Sequence, residues 1–176
     1  TLPPPPRPAV ADLVDAVSPL IHSGDHNKAA GLVNDWLRDA GGLEAALPNR
    51  SVADATVILQ ILLHDVLQRD YLAQAAQLLW QPSLFTPEPR SVRMIWDALQ
   101  NHQSVLLQGA SSMGKTYVPG VYFFLKWLQD PTYTNVITVG PTKEHLEANL
   151  FTHLIKLHTE SALALPGTSG QDRKSV

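Results

Sequence analysis

Residues 105–116 read Val-Leu-Leu-Gln-Gly-Ala-Ser-Ser-Met-Gly-Lys-Thr, an apolar run leading into the pattern Gly-x-x-x-x-Gly-Lys-Thr. Residue types at this spacing suit the phosphates of a nucleoside triphosphate. Gly109 and Gly114 allow a tight turn that brings backbone N–H groups against phosphate oxygens. Lys115 supplies a point charge to the β and γ phosphates and is the candidate catalytic residue. The Thr116 hydroxyl is the candidate ligand of Mg²⁺. Ala110, Ser111, Ser112 and Met113 complete the loop; either serine is a phosphate donor or a plain filler. The candidate nucleotide-binding set is therefore Gly109, Ala110, Ser111, Ser112, Met113, Gly114, Lys115 and Thr116, with ATP and Mg²⁺ as the cofactors.

By chance the bare pattern arises roughly once in tens of thousands of residues of average composition. Its flanks fit as well. Ser104–Gln108 is a candidate strand, and an apolar helix is expected from the loop to about Leu128. A strand, loop and helix in that order place the phosphates at a helix N-terminus, where free N–H groups and the dipole favour anions. Pro119-Gly120 falls in the first turns of that helix, so a late start or a kink is expected there.

The elements around this loop fit a chain of 176 residues, enough for one sizeable core with a smaller appended unit. A net charge of −3 gives no global drive towards nucleic acid, although a local basic groove is compatible with it. No apolar run approaches the roughly 20 residues that span a bilayer. The chain opens on Thr1-Leu2-Pro3 without an initiator Met or a signal peptide, which suggests a processed product or a piece of a longer gene. With no cysteine, disulfides, thiolate catalysis and Cys-based zinc sites are excluded. A cytoplasmic location is expected.

Residues 1–8 are a Pro-rich extended segment, either a linker or a Pro-rich ligand. Residues 9–80 form a helical module. Val10, Leu13, Val14, Val17, Leu20 and Ile21 mark one face of a first helix, which Pro19 disturbs near its end. A second helix carries Ala29, Leu32, Val33, Trp36 and Leu37 and stops at Gly41-Gly42. Ser51 with Asp54 forms the N-cap of a third, running to about Leu67, and Tyr71–Trp80 is a fourth. An offset of 46 residues aligns Leu13 with Leu59, Val17 with Leu63 and Leu32-Val33 with Leu78-Leu79. Either a duplicated two-helix unit or two ordinary amphipathic hairpins accounts for this. Residues 81–89, with three prolines, are a rigid connection into a short helix, Arg90–Gln100. Beyond the loop helix, Val136–Val139 is a second candidate strand closed by Gly140-Pro141-Thr142. A helix with Leu146, Leu150, Leu154 and Leu157 on one face follows, and residues 161–176 form a flexible tail. The expected fold class is α/β: a helical N-terminal module followed by the first part of a parallel-sheet domain spanning residues 81–160.

Phe85-Thr86-Pro87-Glu88-Pro89-Arg90, the loop from Gly109 to Thr116, and Val139-Gly140-Pro141-Thr142 before an apolar helix together resemble the front of a bacteriophage terminase large subunit. That family is the ATPase motor of DNA packaging, related to superfamily-two helicases. The resemblance covers about residues 81–160 and implies a P-loop NTPase domain, ATP hydrolysis and double-stranded DNA as partner. It further implies a portal and a small terminase subunit, a homo-oligomeric ring, no membrane, and the host-cell cytoplasm as location. The chain departs from the family in one important way. After Thr116 there is no run of four apolar residues followed by Asp-Glu, the element that holds Mg²⁺ and orients the attacking water. The nuclease domain is also missing, and Arg93 stands where helicase relatives carry an adenine-reading Gln. A front fragment of a motor is the implied identity. The rival readings are a helicase or translocase fragment, and a helical protein-interaction module with a vestigial phosphate loop.

Three further groups have bland readings beside the functional one. The seven histidines show no carboxylate-supported pair at metal spacing. Lys126, Lys143 and Lys156 are either DNA-phosphate contacts or solvated helix-face charges. Trp36, Trp80, Trp96 and Trp127 lie on apolar faces, where core packing is favoured over base stacking.

Overall fold

Apolar residues at three- and four-residue intervals drive helix pairing through the first half of the chain. The computed structural model describes residues 9–40, 55–109 and 114–167. Helices α1 (Val10–His22) and α2 (His26–Ala40) form one hairpin, and α3 (Ala55–Gln68) and α4 (Leu72–Leu79) a second. Helix α2 packs on both α1 and α3, while α4 returns to α1 and closes the four around a shared core. Positions related by the 46-residue offset are buried alike: Leu13 with Leu59, Val17 with Leu63, Val33 with Leu79. The likeness ends at Leu32, which is exposed where Leu78 is fully buried. Pro19 lies inside α1 without ending it. Ser18 is buried there because its hydroxyl donates to the Val14 carbonyl at 2.7 Å. The expected helix stop at Gly41-Gly42 and cap at Ser51 lie outside the described residues.

Helices α5 (Arg90–Asn101) and α6 (Tyr117–Gln129) continue the same core, because α6 packs on α3 and α4 as well as on α5. Residues 81–89 turn tightly, with the Leu84 and Phe85 N–H groups both donating to the Gln81 carbonyl. The turn seats Phe85 against Trp96 in a stack at 5.6 Å, with the Trp80 and Tyr117 rings edge-on at 5.9 Å each. Both indoles are buried with their N–H groups satisfied: Trp80 donates to the Leu157 carbonyl at 2.8 Å and Trp96 to the Val118 carbonyl at 3.1 Å. The last helical stretch has three parts, α7 (Lys143–Leu146), a π-helical turn (Glu147–Phe151) and α8 (Thr152–Thr159). It meets α6 closely at Gly120, where an added Cβ would stand 2.5 Å from Leu150 Cδ1. Residues 161–167 rest on α4, and the rest of the expected tail, 168–176, lies outside the described residues. The Ala162 N–H donates to the Leu79 carbonyl at 2.8 Å, and Leu163 is buried.

The expected parallel α/β sheet is not formed; among the described residues every regular element is helical. Ser104–Gln108 and Val136–Val139 take no ladder, and neither backbone bonds to any other described residue. Their outward apolar side chains are left in solvent, Leu106 at 82%, Ile137 at 85% and Val139 at 90% exposure. The physical reason is one of number. A strand supplies half of each ladder bond, and fewer than three strands make at best a marginal sheet. Two segments of four or five residues, separated by α6, offer too little pairing to offset the cost of ordering them.

Candidate functional site

The phosphate-loop motif is brought to the start of α6. Gly109 ends the unpaired segment 104–109, Ala110, Ser111, Ser112 and Met113 lie outside the described residues, and Gly114 resumes the chain. Gly114 has φ +69°, the left-handed region in which a side chain is strained, and a Cβ there would also crowd Val118 Cγ2 at 3.3 Å. This backbone turn directs the chain into α6, whose first bonds run from Val118 N–H to the Gly114 carbonyl at 2.8 Å and from Gly120 N–H to the Thr116 carbonyl at 3.1 Å. The interruption expected at Pro119-Gly120 does not occur. Helix α6 starts at Tyr117, which puts Pro119 at the third helical position, where a missing N–H leaves no bond unmade.

Lys115 is half-buried, and its Nζ donates to the Gly109 carbonyl, joining the two ends of the loop. A neutral carbonyl is a weaker partner for an ammonium than a phosphate oxygen, so an incoming phosphate is able to replace it. Thr116 stands at the N-cap with φ −89° and ψ −41°, and its hydroxyl makes no capping bond. The first turn of α6 carries no acid, so nothing there repels an anion. These features fit the phosphate end of a nucleotide. For Mg²⁺ they offer one protein ligand, the Thr116 hydroxyl, the usual arrangement when phosphates and water complete the octahedron. Among the described residues no group of three or more His, Asp or Glu side chains stands ready to hold a metal without them.

Lys115 and Thr116 also form one end of an apolar cleft of about 1020 Å³ between α6 and the π-helical turn. Phe123 and Trp127 line it from α6, Leu150 from the turn, and Val136 from the unpaired segment. Beside the cleft, the Tyr117 hydroxyl donates to the Leu84 carbonyl at 3.2 Å, and its ring meets His153 at 5.2 Å. Burial pushes the Tyr117 phenol above its ordinary value, so it remains a donor at neutral pH.

The lysines considered for DNA contact are each paired with a carboxylate: Lys126 with Asp70 at 2.8 Å, Lys143 with Glu147 at 3.5 Å, Lys156 with Glu160 at 4.0 Å. Of the three, Lys126 alone lines the cleft described above. Of the histidines, His22 shares a hydrogen bond with the Gln77 carbonyl at 2.9 Å and His158 with the Pro166 carbonyl at 3.1 Å, both structural contacts. Trp80 and Trp96 are core residues, and Trp127 stacks on Phe124 at 5.9 Å.

Sequence reasoning missed Asp70 altogether. It sits in the turn between α3 and α4 at φ +63°, the one non-glycine with positive φ among the described residues. Its Oδ1 accepts from Lys126 Nζ at 2.8 Å and Gln129 Nε2 at 2.9 Å, and its Oδ2 from Gln100 Nε2 at 2.9 Å. Gln129 Nε2 also donates to the Leu67 carbonyl at 2.6 Å, and Gln68 Nε2 returns a bond to the Gln129 carbonyl at 2.8 Å. Burial alone would raise the Asp70 pKa, but the Lys126, Gln129 and Gln100 donors outweigh it and hold the carboxyl below its usual 3.8. The signal available in the sequence was an Asp between two helical runs, a residue type that tolerates the left-handed turn.

No protein-family model, no curated protein and no solved structure matches this chain.

Proposed function

We propose that this chain is the ATP-binding front part of a DNA-packaging motor of the terminase large-subunit kind. The observation that carries the reading is the loop itself. The motif Gly-x-x-x-x-Gly-Lys-Thr is joined to a left-handed Gly114 and opens directly into α6, with Lys115 folded across the loop ends. In this reading the loop amides and Lys115 bind and orient the phosphates, and Thr116 holds Mg²⁺. Bound Mg²⁺-ATP would supply the phosphoryl group whose hydrolysis drives movement. In this reading the acid that activates water is supplied by another part of the motor, and the 139–158 region senses the nucleotide state and touches double-stranded DNA.

A second reading, a helical interaction module with a vestigial loop, is favoured by the unpaired segments 104–108 and 136–139. Calorimetric titration with Mg²⁺-ATP separates the two. Micromolar to millimolar binding that Lys115→Ala weakens by roughly a hundredfold is expected for a working phosphate loop. Thr116→Ala should weaken Mg²⁺-ATP binding while leaving metal-free ATP unaffected. Equal binding by wild type and Lys115→Ala, or none by an intact parent protein, would sink the motor reading.

A further inference from the structure

We infer that Asp70 is a positioning residue, a strut through which the α3–α4 turn fixes the axis of α6 and so the place of Lys115 and Thr116. Lys126 and Gln129, the two α6 side chains it holds, lie at the C-terminal end of the helix, while the phosphate loop lies at its N-terminal end. Thr116 and Lys126 are ten residues apart, about 15 Å along one rigid helix at ~1.5 Å per residue. Restraining one end of such a rod restrains the other.

The backbone at Asp70 indicates that the arrangement is over-determined. An aspartate tolerates φ +63° better than most residues, yet the conformation is uncommon and is kept where its surroundings hold it. Here they do so twice over. The Asp70 N–H donates to the Leu67 carbonyl at 3.0 Å and the Tyr71 N–H to the Val66 carbonyl at 2.9 Å, closing the turn on α3. The carboxylate then collects three donors from α5 and α6. An acid needed only to end α3 would make bonds within its own hairpin. This one makes its side-chain bonds to the loop-bearing half.

Amide hydrogen exchange on the full chain without nucleotide tests the strut directly, comparing wild type with Asp70→Gly and Asp70→Asn. Both replacements accept the left-handed backbone; glycine removes every side-chain acceptor, whereas asparagine removes the charge and one of the two acceptor oxygens but keeps the other. In Asp70→Gly, exchange at Val118 and Gly120–Leu125 should quicken roughly tenfold, the scale of a lost charge-assisted network. Asp70→Asn should fall between, and Val14, Val17 and Val33 in the first hairpin, to which the Asp70 carboxylate makes no bond, should change less than about twofold. Equal quickening everywhere, or no change in α6, overturns the proposal.

The link to the loop rests on the nucleotide reading and has its own arm. If wild type binds Mg²⁺-ATP, Asp70→Gly should bind it about three- to tenfold more weakly, and unchanged affinity overturns that link. If wild type does not bind, the nucleotide reading has failed, and the exchange arm still decides whether Asp70 positions α6.

Discussion

Leu59 and Leu106 are the same residue in apolar runs of similar strength, yet one is fully buried and the other stands in solvent. The difference lies in how each region closes. In the hairpins from α1 to α4, a helix satisfies most of its own backbone groups, so a segment needs only an apolar stripe and a neighbour to pack against. Segments 104–108 and 136–139 carry apolar residues of the kind a buried strand uses. Their backbone groups, however, require partners from other parts of a sheet, and none is found among the described residues. Helical cores close locally; sheet cores close only when enough strands are present together.

The sharpest way to break this comparison is to truncate both leucines. Leu59→Ala should cost about 3 kcal/mol in urea unfolding, as a fully buried leucine does, whereas Leu106→Ala should cost under about 0.5 kcal/mol. Comparable losses would mean that segment 104–108 is covered in solution. Next in size is Gly114→Ala, which forces a side chain into the left-handed region at a cost of about 1–2 kcal/mol. Its expected consequence is roughly tenfold weaker Mg²⁺-ATP binding, and undiminished affinity would show that the loop binds in another backbone geometry.

A smaller effect is expected from acid. Because the folded-state pKa of Asp70 is depressed, its contribution is complete well above 3.8 and is lost as the pH falls from there through the folded value. Asp70→Asn should therefore flatten the stability profile below about pH 4 while wild type falls away, and parallel profiles would remove Asp70 from the acid response. Least of all should Ile137→Lys disturb folding, within about 0.5 kcal/mol, yet it should reduce self-association seen by light scattering. If association persists, the exposed segments are not its cause.

Much of the helical half was legible. The periodicities at Leu13, Val17 and Ile21, and at Leu59, Leu63 and Leu67, identify the buried faces of α1 and α3, and all six residues are buried. Helix α5 begins at the expected Arg90, and Phe85 in the Pro-rich turn proves to be the centre of an aromatic cluster. The parallel sheet was misjudged because apolar β-branched runs state a preference for strand without stating whether a partner exists. At the candidate site, the motif marked the loop residues but not what steadies them. Asp70 lies 45 residues before Lys115, and its partners Gln100, Lys126 and Gln129 look like ordinary helix-surface residues until the helices are packed. No local pattern announces a contact that only tertiary structure creates.

The π-helical turn solves a problem of arithmetic in the last helix. Leu146, Leu150 and Leu154 recur every four residues, and four residues overshoot an α-helical turn of 3.6 by about 40°. Over two such steps an unbroken α-helix would carry Leu154 about 80° away from Leu146. The wider turn at Glu147–Phe151, closed by the Thr152 N–H on the Glu147 carbonyl and by the Thr152 hydroxyl at 2.8 Å, absorbs that excess. All three leucines consequently line the cleft beside α6. The turn acts as a leap day inserted into the helical calendar: remove one residue from it, and each leucine that follows falls out of season with the surface it meets.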